Sequence, residues 1–306
     1  MWGHSMSFSS NVKKELCAQK HGCSFCIGAS LYAMILFEND GKENTITFTT
    51  ESREAADLFV LYTIELTGAI LTIKEPDLRD RTHRPVYTVS VDHSDDAARL
   101  LSQFHIPGNE ILHRFFPNPC CVGAFLRGAY LACGTMSNPL KEYHLEFRAP
   151  TQQLAEELAA LLFVCGLSYR TSLRGAQPIV YAKESNVIED TLTRMGAAHS
   201  AMEMMNLKIE KELRNNANRI VNCETANIEK TVNASLFQIQ KIKKIKDTIG
   251  LDGLPIPLQE AALLRLANPD ATLSELCVLS NGSVSRSGMN HRLARLAKIA
   301  DELSDE

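Results

Sequence analysis

The sequence predicts an α+β protein in which one αββαββα unit occurs twice and an all-helical domain follows. Two apolar helices of the same type indicate the duplication: "FCIGASLYAMILF" at 25–37 and "AFLRGAYLACGTM" at 124–136. In the second, small or apolar residues recur every three or four positions, as in a helix that packs closely on another helix. The helical end is indicated by a capping-box pattern, Thr272 with Glu275, and by a glycine-containing turn at 280–283.

Length and composition are those of an ordinary globular protein with two or three domains: 306 residues, 45% hydrophobic and 22% charged. No apolar run approaches the roughly 18–20 residues that a membrane-spanning helix needs, so we expect a cytoplasmic protein without membrane contact. Nine cysteines, an odd number, do not indicate a secreted disulfide framework. Charge is uneven, since residues 1–207 carry a net −5 and residues 208–300 a net +5. A polyanionic partner is therefore expected to bind the C-terminal third.

The repeat extends beyond the two apolar helices. After each comes an alternating strand, "NTITFTT" at 44–50 and "EYHLEFRA" at 142–149, and then an amphipathic helix that ends near a glycine. A pair of strands and a closing helix complete each unit. We therefore predict repeats at about 22–105 and 117–196 within a domain of residues 6–205, packed through their glycine-bearing helices about a pseudo-twofold axis. The alternative is two unrelated α+β lobes.

This element order and the glycine-bearing helices resemble the LAGLIDADG homing endonucleases. The resemblance implies one acidic metal ligand near the end of each helix, and with Gly28 set against Gly128 the corresponding residues are Ala33 and Cys133. Neither is a hard oxygen ligand suited to Mg²⁺, so we predict no catalytic residues and no nuclease activity. A metal-dependent nuclease with relocated carboxylates is the enzymatic alternative, and a platform that binds a protein or a small ligand is the other.

Two cysteine pairs, each preceding a repeat helix, are the candidate metal ligands of this sequence. If the helices pair, the four thiols converge and suit zinc, but an adjacent cysteine pair is unusual for a structural site. Buried free cysteines in a core, or a redox role for the first pair, are the alternatives. Core packing is the simplest of these, so we expect no metal and no cofactor. The four residues are Cys23, Cys26, Cys120 and Cys121.

Residues 206–256 are predicted to form a basic helical linker. Apolar residues at three- and four-residue steps indicate a helix in its second half, with lysines on the opposite face. The stretch "RNNANR" at 214–219 is unlike an ordinary helix surface. These segments supply candidates for additional DNA contacts, namely Arg214, Arg219, Lys241 and Lys244.

Residues 257–303 have the order of a helix-turn-helix DNA-binding domain: helix, short glycine-containing turn, helix. The last helix begins near 285–287, buries an apolar stripe and lies in a segment, 281–298, with four basic and no acidic residues. We expect its polar face to contact base edges and its basic side chains to contact the phosphates of double-stranded DNA. A three-helix bundle for protein contact is the alternative. The predicted DNA-binding residues are Arg286, Ser287, Asn290, His291, Arg292, Arg295 and Lys298.

Four stretches spread over the chain resemble the WhiA-type regulators of Gram-positive bacteria. The resemblance implies a transcription factor in which a degenerate LAGLIDADG domain without nuclease activity is fused to a C-terminal helix-turn-helix. It also implies roles in cell division, in chromosome segregation and, in spore formers, in sporulation. We accordingly expect the protein at the nucleoid and leave open a protein partner on the N-terminal domain. The stretches are "MSFSSNVKKEL", "FLRGAYLACGTMSNPLKEYHLEF", "RNNANRIVNCETANIEKTV" and "SRSGMNHRLARLAKIA".

Overall fold

The computed structural model of the chain contains two compact units, Met1–Lys211 and Glu212–Glu306. This division differs from the predicted boundaries, because the first boundary falls inside a single helix, α8 (Ala198–Thr248). The predicted linker of residues 206–256 is therefore not a separate segment, and its last part belongs to the core of the second unit. Residue 6, the predicted start of the first domain, lies outside the described residues. The structure describes residues 7–38, 45–76, 86–106 and 110–303.

The predicted fold class is confirmed, because the first unit is α+β and repeats its element order. All seven predicted elements are present in the second repeat. In the first, the described residues contain one strand between the first two helices, and residues 39–44 lie outside them. Helix α1 (Phe8–Cys17) precedes the repeats. The first repeat consists of α2 (Phe25–Glu38), β1 (Thr47–Thr50), α3 (Arg53–Thr67), β2 (Leu71–Lys74), β3 (Tyr87–Val91) and α4 (Ser94–Phe104). The second consists of α5 (Pro119–Cys133), β4 (Gly134–Met136), β5 (Leu145–Arg148), α6 (Gln152–Val164), β6 (Arg170–Arg174), β7 (Gln177–Ala182) and α7 (Ser185–Met195).

Each repeat builds one antiparallel sheet, with strand order β1-β3-β2 in the first and β4-β5-β7-β6 in the second. Strand β4 corrects the prediction that the helix at 124–136 continues to its last residue. The helix ends at Cys133, and Gly134 adopts an extended backbone and pairs with Phe147 of β5. A Cβ at Gly134 would lie 2.3 Å from the ring of Tyr130, so the strand can begin here only because the residue has no side chain.

The two apolar helices, α2 and α5, pack against each other within the core of the first unit. Helix α2 is buried on all sides over residues 29–37, which explains why it is apolar all round rather than amphipathic. The closest approach lies at Gly128, where an added Cβ would be 2.2 Å from the carbonyl oxygen of Ser30 and 3.0 Å from the Cβ of Ala33. The expected equivalence of Gly28 and Gly128 is wrong, because a Cβ at Gly28 would meet no described atom within 4 Å.

Helix α8 begins in the first unit and is held there by Glu15 of α1. The Glu15 carboxylate accepts hydrogen bonds from the backbone amides of His199 and Ser200, at 2.8 and 2.9 Å. A carboxylate is favourable at this place because a helix N-terminus carries partial positive charge. Among the described helices, α8 included, none combines the length and the apolar character needed to cross a bilayer.

The second unit is a helical domain with its own apolar core, to which the last turns of α8 contribute. The predicted capping box is confirmed: the Glu275 amide donates to Oγ1 of Thr272, and the Thr272 amide donates to Oε2 of Glu275. The predicted turn uses positive φ angles at Asn281 and Gly282, a conformation that glycine adopts without strain. The three helices that follow α8 are α9 (Ile256–Ala267), α10 (Leu273–Leu279) and α11 (Arg286–Glu302).

Candidate nucleic-acid interface and cysteine cluster

Helix α11 is positioned by one apolar stripe that packs on α9 and α10. Its N-cap is Ser285, whose Oγ accepts a hydrogen bond from the amide of Gly288 at 3.2 Å. The stripe follows the predicted register, since Met289, Leu293 and Leu296 are at most 1% exposed. With this face buried, the opposite face of the helix is left to solvent.

The solvent face of α11 carries six of the seven predicted DNA-binding side chains. Arg292 is the exception, because its Nη1 lies 3.4 Å from the carbonyl oxygen of Pro257 and 3.8 Å from Oε2 of Glu260. This residue flanks the buried stripe, so its long side chain extends along α9 and links the two helices, and its contact with a phosphate stays a prediction. The exposed residues are Arg286, Ser287, Asn290, His291, Arg295 and Lys298.

The connection between α9 and α10 is held by Arg265, a residue outside the predicted site. The side chain is 2% exposed, and its Nη1 donates to the carbonyl oxygen of Ala271 at 2.6 Å. Burial lowers the pKa of this guanidinium. A basic residue in an amphipathic helix has the sequence pattern of a surface position, so no local signal identifies this role. Arg265 thereby stabilises the two helices on which α11 rests.

The additional DNA-contact candidates on α8 divide into two groups. Lys241 pairs with the carboxylate of Asp301, and Nζ of Lys244 donates to the carbonyl oxygen of Leu303 at 3.0 Å. Both lysines therefore lie at the C-terminal end of α11, where positive charge is favourable. Their contacts with DNA stay a prediction. The exposed candidates are Arg214 and Arg219.

A cavity of about 990 Å³ lies in the first unit at the C-terminal ends of α2 and α5. Cys133 lines it, as expected for a residue at the end of α5, and burial raises the pKa of its thiol to about 12. Ala33 lies elsewhere, fully buried against Gly128 and more than one turn before the end of α2. Its assignment as the partner of Cys133 is therefore corrected, since it depended on an equivalence of two glycines that the helix contact does not have.

Charged side chains line this cavity, and two of them are carboxylates in contrasting surroundings, Glu38 and Glu146. Burial raises the pKa of the Glu38 carboxyl to about 7, although Oε1 accepts a hydrogen bond from the Thr49 amide at 3.1 Å. Glu146 is 3% exposed; its Oε1 lies 2.6 Å from Nη1 of Arg174, and its Oε2 lies 2.9 Å from Nε2 of His144. Two features of the sequence mark these carboxylates: Glu38 is an acidic residue at the end of an apolar helix, and Glu146 is an acidic residue inside the strand "LEF".

The four cysteines come together at the N-terminal ends of α2 and α5. From Sγ of Cys23 the other sulfur atoms lie at 3.4 Å (Cys120), 3.6 Å (Cys26) and 3.6 Å (Cys121). Among the described residues this is the one group of three or more such ligands, with all sulfur atoms within 4.8 Å of one another. A hydrogen bond from the Asn118 amide is the main reason why the pKa of Cys23 falls to about 6. Core packing fits the buried Cys26 and Cys121, but Cys120 is exposed.

Comparison with known proteins finds matches over nearly the whole chain. The family described as the WhiA LAGLIDADG-like domain matches residues 122–214, and the WhiA C-terminal HTH domain matches residues 217–300. Two curated relatives named "Probable cell division protein WhiA" align over 97% of this chain. That of Caldicellulosiruptor saccharolyticus is 36% identical with 96% of its length covered, and that of Clostridium botulinum strain Hall is 37% identical with 99% covered. The crystal structure of full-length WhiA from Thermotoga maritima shares the fold, with a TM-score of 0.59 and 24% identity over 98% of this chain and 100% of that one.

Proposed function

This chain belongs to the WhiA family, and we propose that it is a non-enzymatic regulator that binds specific sequences of double-stranded DNA through α11. The observation that carries the proposal is the division of α11 into a buried apolar stripe and an exposed polar and basic face. No acidic residue occurs over 281–298 to oppose the phosphate backbone. A recognition helix in the major groove needs these two faces, one to hold it on its domain and one to contact DNA.

The exposed face divides by position along α11. Ser287, Asn290 and His291 lie near the N-terminal end, where recognition helices contact base edges. Arg295 and Lys298 lie further along the helix, and we assign them to phosphates. Replacing Asn290 or His291 by alanine should relax sequence preference at a cost of ~1–3 kcal/mol on the best site, whereas replacing Arg295 or Lys298 should weaken all sequences about equally.

The test begins with selection of bound fragments from genomic DNA by the full-length protein. Variants are then titrated on the best duplex and on a scrambled one at several salt concentrations. Arg295→Ala should lower the slope of log K against log salt concentration by about one unit. Arg292→Ala is the matched comparison on the same helix and should lower the slope less than Arg295→Ala, because Arg292 contacts Pro257 and Glu260. The placement of DNA on α11 would be refuted by two results together. The two arginine variants would show the same slope of log K against log salt concentration, and Asn290→Ala would still distinguish the best duplex from the scrambled one as well as the unmodified protein does.

We further propose that the first unit is a scaffold and not a nuclease. Cys133 is a buried thiol with a raised pKa, which is a poor ligand for Mg²⁺, and Glu146 is already paired with Arg174. Glu38 is then the strongest candidate for a relocated carboxylate in this cavity. Supercoiled plasmid incubated with the protein and Mg²⁺ or Mn²⁺ should remain supercoiled. Metal-dependent nicking that disappears in Glu38→Gln would instead favour the nuclease alternative.

In the cell we propose a regulator of transcription with roles in cell division, chromosome segregation and, in spore formers, sporulation. The curated relatives carry the name of probable cell division proteins, which supports the first of these roles. A DNA-binding regulator acts at the nucleoid, and the first unit is then available to a protein partner. A genome-wide map of bound DNA, compared with transcript levels in a deletion strain, should place binding sites at division and segregation genes. Bound sites without any change in neighbouring transcripts would contradict a regulatory role.

A further inference from the structure

We propose that Cys23, Cys26, Cys120 and Cys121 bind one Zn²⁺ ion, which joins the N-terminal ends of the two central helices α2 and α5. The site lies in the first unit and does not depend on DNA binding by the second. Three features carry the assignment: the distances among the sulfur atoms, the backbone around each cysteine pair, and the groups that compensate the charge.

The four sulfur atoms have the spacing of a tetrahedral zinc site. With a Zn–S bond of about 2.3 Å, the edge of a regular tetrahedron of sulfur atoms is about 3.8 Å. The three distances from Cys23 are 3.4, 3.6 and 3.6 Å, and all the sulfur atoms lie within 4.8 Å of one another. An iron–sulfur cluster would hold its cysteines farther apart, because several iron and sulfide ions stand between them. The spacing therefore fits a single ion.

The first pair lies on a backbone turn that directs both thiols to one side. The Cys26 amide donates to the carbonyl oxygen of Cys23 at 3.1 Å. This turn ends where α2 begins, so Cys23 and Cys26 face the same point from a rigid helix start.

The second pair is adjacent in sequence, and the structure explains how both of its thiols reach the same point. Successive side chains of a helix point about 100° apart, so Cys121 is buried while Cys120 is exposed. Gly22 leaves the space that Cys120 occupies, since a Cβ at Gly22 would lie 2.8 Å from its Cβ and 3.2 Å from its Sγ. The exposure of Cys120 also gives an ion a route from solvent.

The surroundings of the cluster compensate the charge of a loaded site. Four thiolates around Zn²⁺ leave a net charge of about −2, and the cysteines lie at the starts of α2 and α5, where helices carry partial positive charge. Asn118, which belongs to the second repeat, donates a hydrogen bond from its side-chain amide to the sulfur of Cys23 at 3.4 Å. Binding converts thiols to thiolates and releases their protons to solvent, so the ion is the only reactant required.

A four-cysteine site is closed to substrate, so the ion would act as a structural clamp. Its ligands come from different repeats, and it would tie α2 to α5 at the ends farthest from the cavity that Cys133 lines. Loss of the ion should therefore loosen the helix pair without removing any catalytic group.

Zinc content and thiol protection test the site in the full-length protein. Protein purified under reducing conditions should contain about one zinc ion per chain by elemental mass spectrometry. After the metal is removed with a chelator, added ZnCl₂ should slow alkylation of Cys120 by iodoacetamide at least tenfold, as measured by peptide mass spectrometry. Cys223 is also exposed and should react at the same rate with and without zinc.

Two exposed cysteines provide a matched pair of variants. Cys120→Ser should weaken zinc binding at least tenfold in competition with a chromophoric chelator, and Cys223→Ser should not change it. Asn118→Ala should weaken binding roughly 10- to 100-fold while one ion per chain is still bound at saturation. Removal of zinc should also lower the unfolding midpoint of the first unit, because an ion that binds only the folded state stabilises it. Tyrosine circular dichroism reports this midpoint, since all seven tyrosines lie in the first unit.

Several outcomes would overturn the proposal. The proposal fails if the protein stays free of metal when zinc is added. It also fails if Cys120 is alkylated at the same rate with and without zinc. Iron in place of zinc, or disulfide bonds among the four cysteines in protein kept under reducing conditions, would show that the cluster serves another chemistry.

Discussion

Gly128→Ala should destabilise the first unit by about 2 kcal/mol, whereas Gly28→Ala on the partner helix should stabilise it. An alanine Cβ at position 128 would lie 2.2 Å from the carbonyl oxygen of Ser30 and 3.0 Å from the Cβ of Ala33. Real Cβ atoms essentially never come within 3.0 Å of another atom, and here the obstacle is the backbone of a helix, which cannot turn aside. The two helices must therefore separate by about 1 Å inside a close-packed core.

The magnitude is a balance of two effects. Overpacking a core costs about 1–3 kcal/mol, and a backbone obstacle sets the cost at about the upper end of that range. Alanine gains roughly 1 kcal/mol over glycine in helix propensity, which leaves a net loss of about 2 kcal/mol. At Gly28 no described atom lies within 4 Å of the added Cβ, so only the propensity gain of about 0.5–1 kcal/mol remains.

The tyrosine signal isolates the first unit, because all seven tyrosines and the single tryptophan lie within residues 1–211. Urea unfolding of the full-length protein, followed by near-ultraviolet circular dichroism, reports the free energy of unfolding of that unit. An unchanged or higher midpoint for Gly128→Ala would refute the close contact with Ser30. Equal losses in the two variants would show that both glycines lie at the helix contact, as the sequence repeat suggested.

Three further changes test other parts of the structure. Leu293→Ala should destabilise the second unit by ~2–5 kcal/mol, because it removes buried volume beneath α11; far-ultraviolet circular dichroism during thermal unfolding measures this loss. The raised pKa of Glu38 means that the folded state binds its proton more tightly than the unfolded state. The free energy of unfolding should therefore fall by roughly 2–3 kcal/mol between pH 4.5 and about 7, and Glu38→Gln should remove this dependence in urea titrations across that range. Arg265→Met should destabilise the second unit, because the carbonyl oxygen of Ala271 loses its donor, and hydrogen exchange of the α9–α10 connection should rise.

The sequence by itself determined the order of the main elements and the buried face of α11, but not the end of α5 at Cys133 or the full length of α8. The capping box of Thr272 and Glu275, the turn at Gly282 and the stripe from Met289 to Leu296 each depend on residues a few positions apart. Local backbone preference and the helix period act over that distance, so a single sequence carries the information. The duplicated αββαββα order is predicted from the same local patterns of helix and strand periodicity, which occur in two stretches of the chain.

Only the tertiary structure decided which residues meet. The register of α2 on α5 depends on how two apolar surfaces interlock, and this contact sets Gly128 against Ser30 rather than against Gly28. Arg292 flanks its stripe at an angle that suits either solvent or α9, and the position of Glu260 and Pro257 decides between them. The two cysteine pairs are more than 90 residues apart, and sequence spacing carries no distance between them. Their convergence is a consequence of two helices that start side by side.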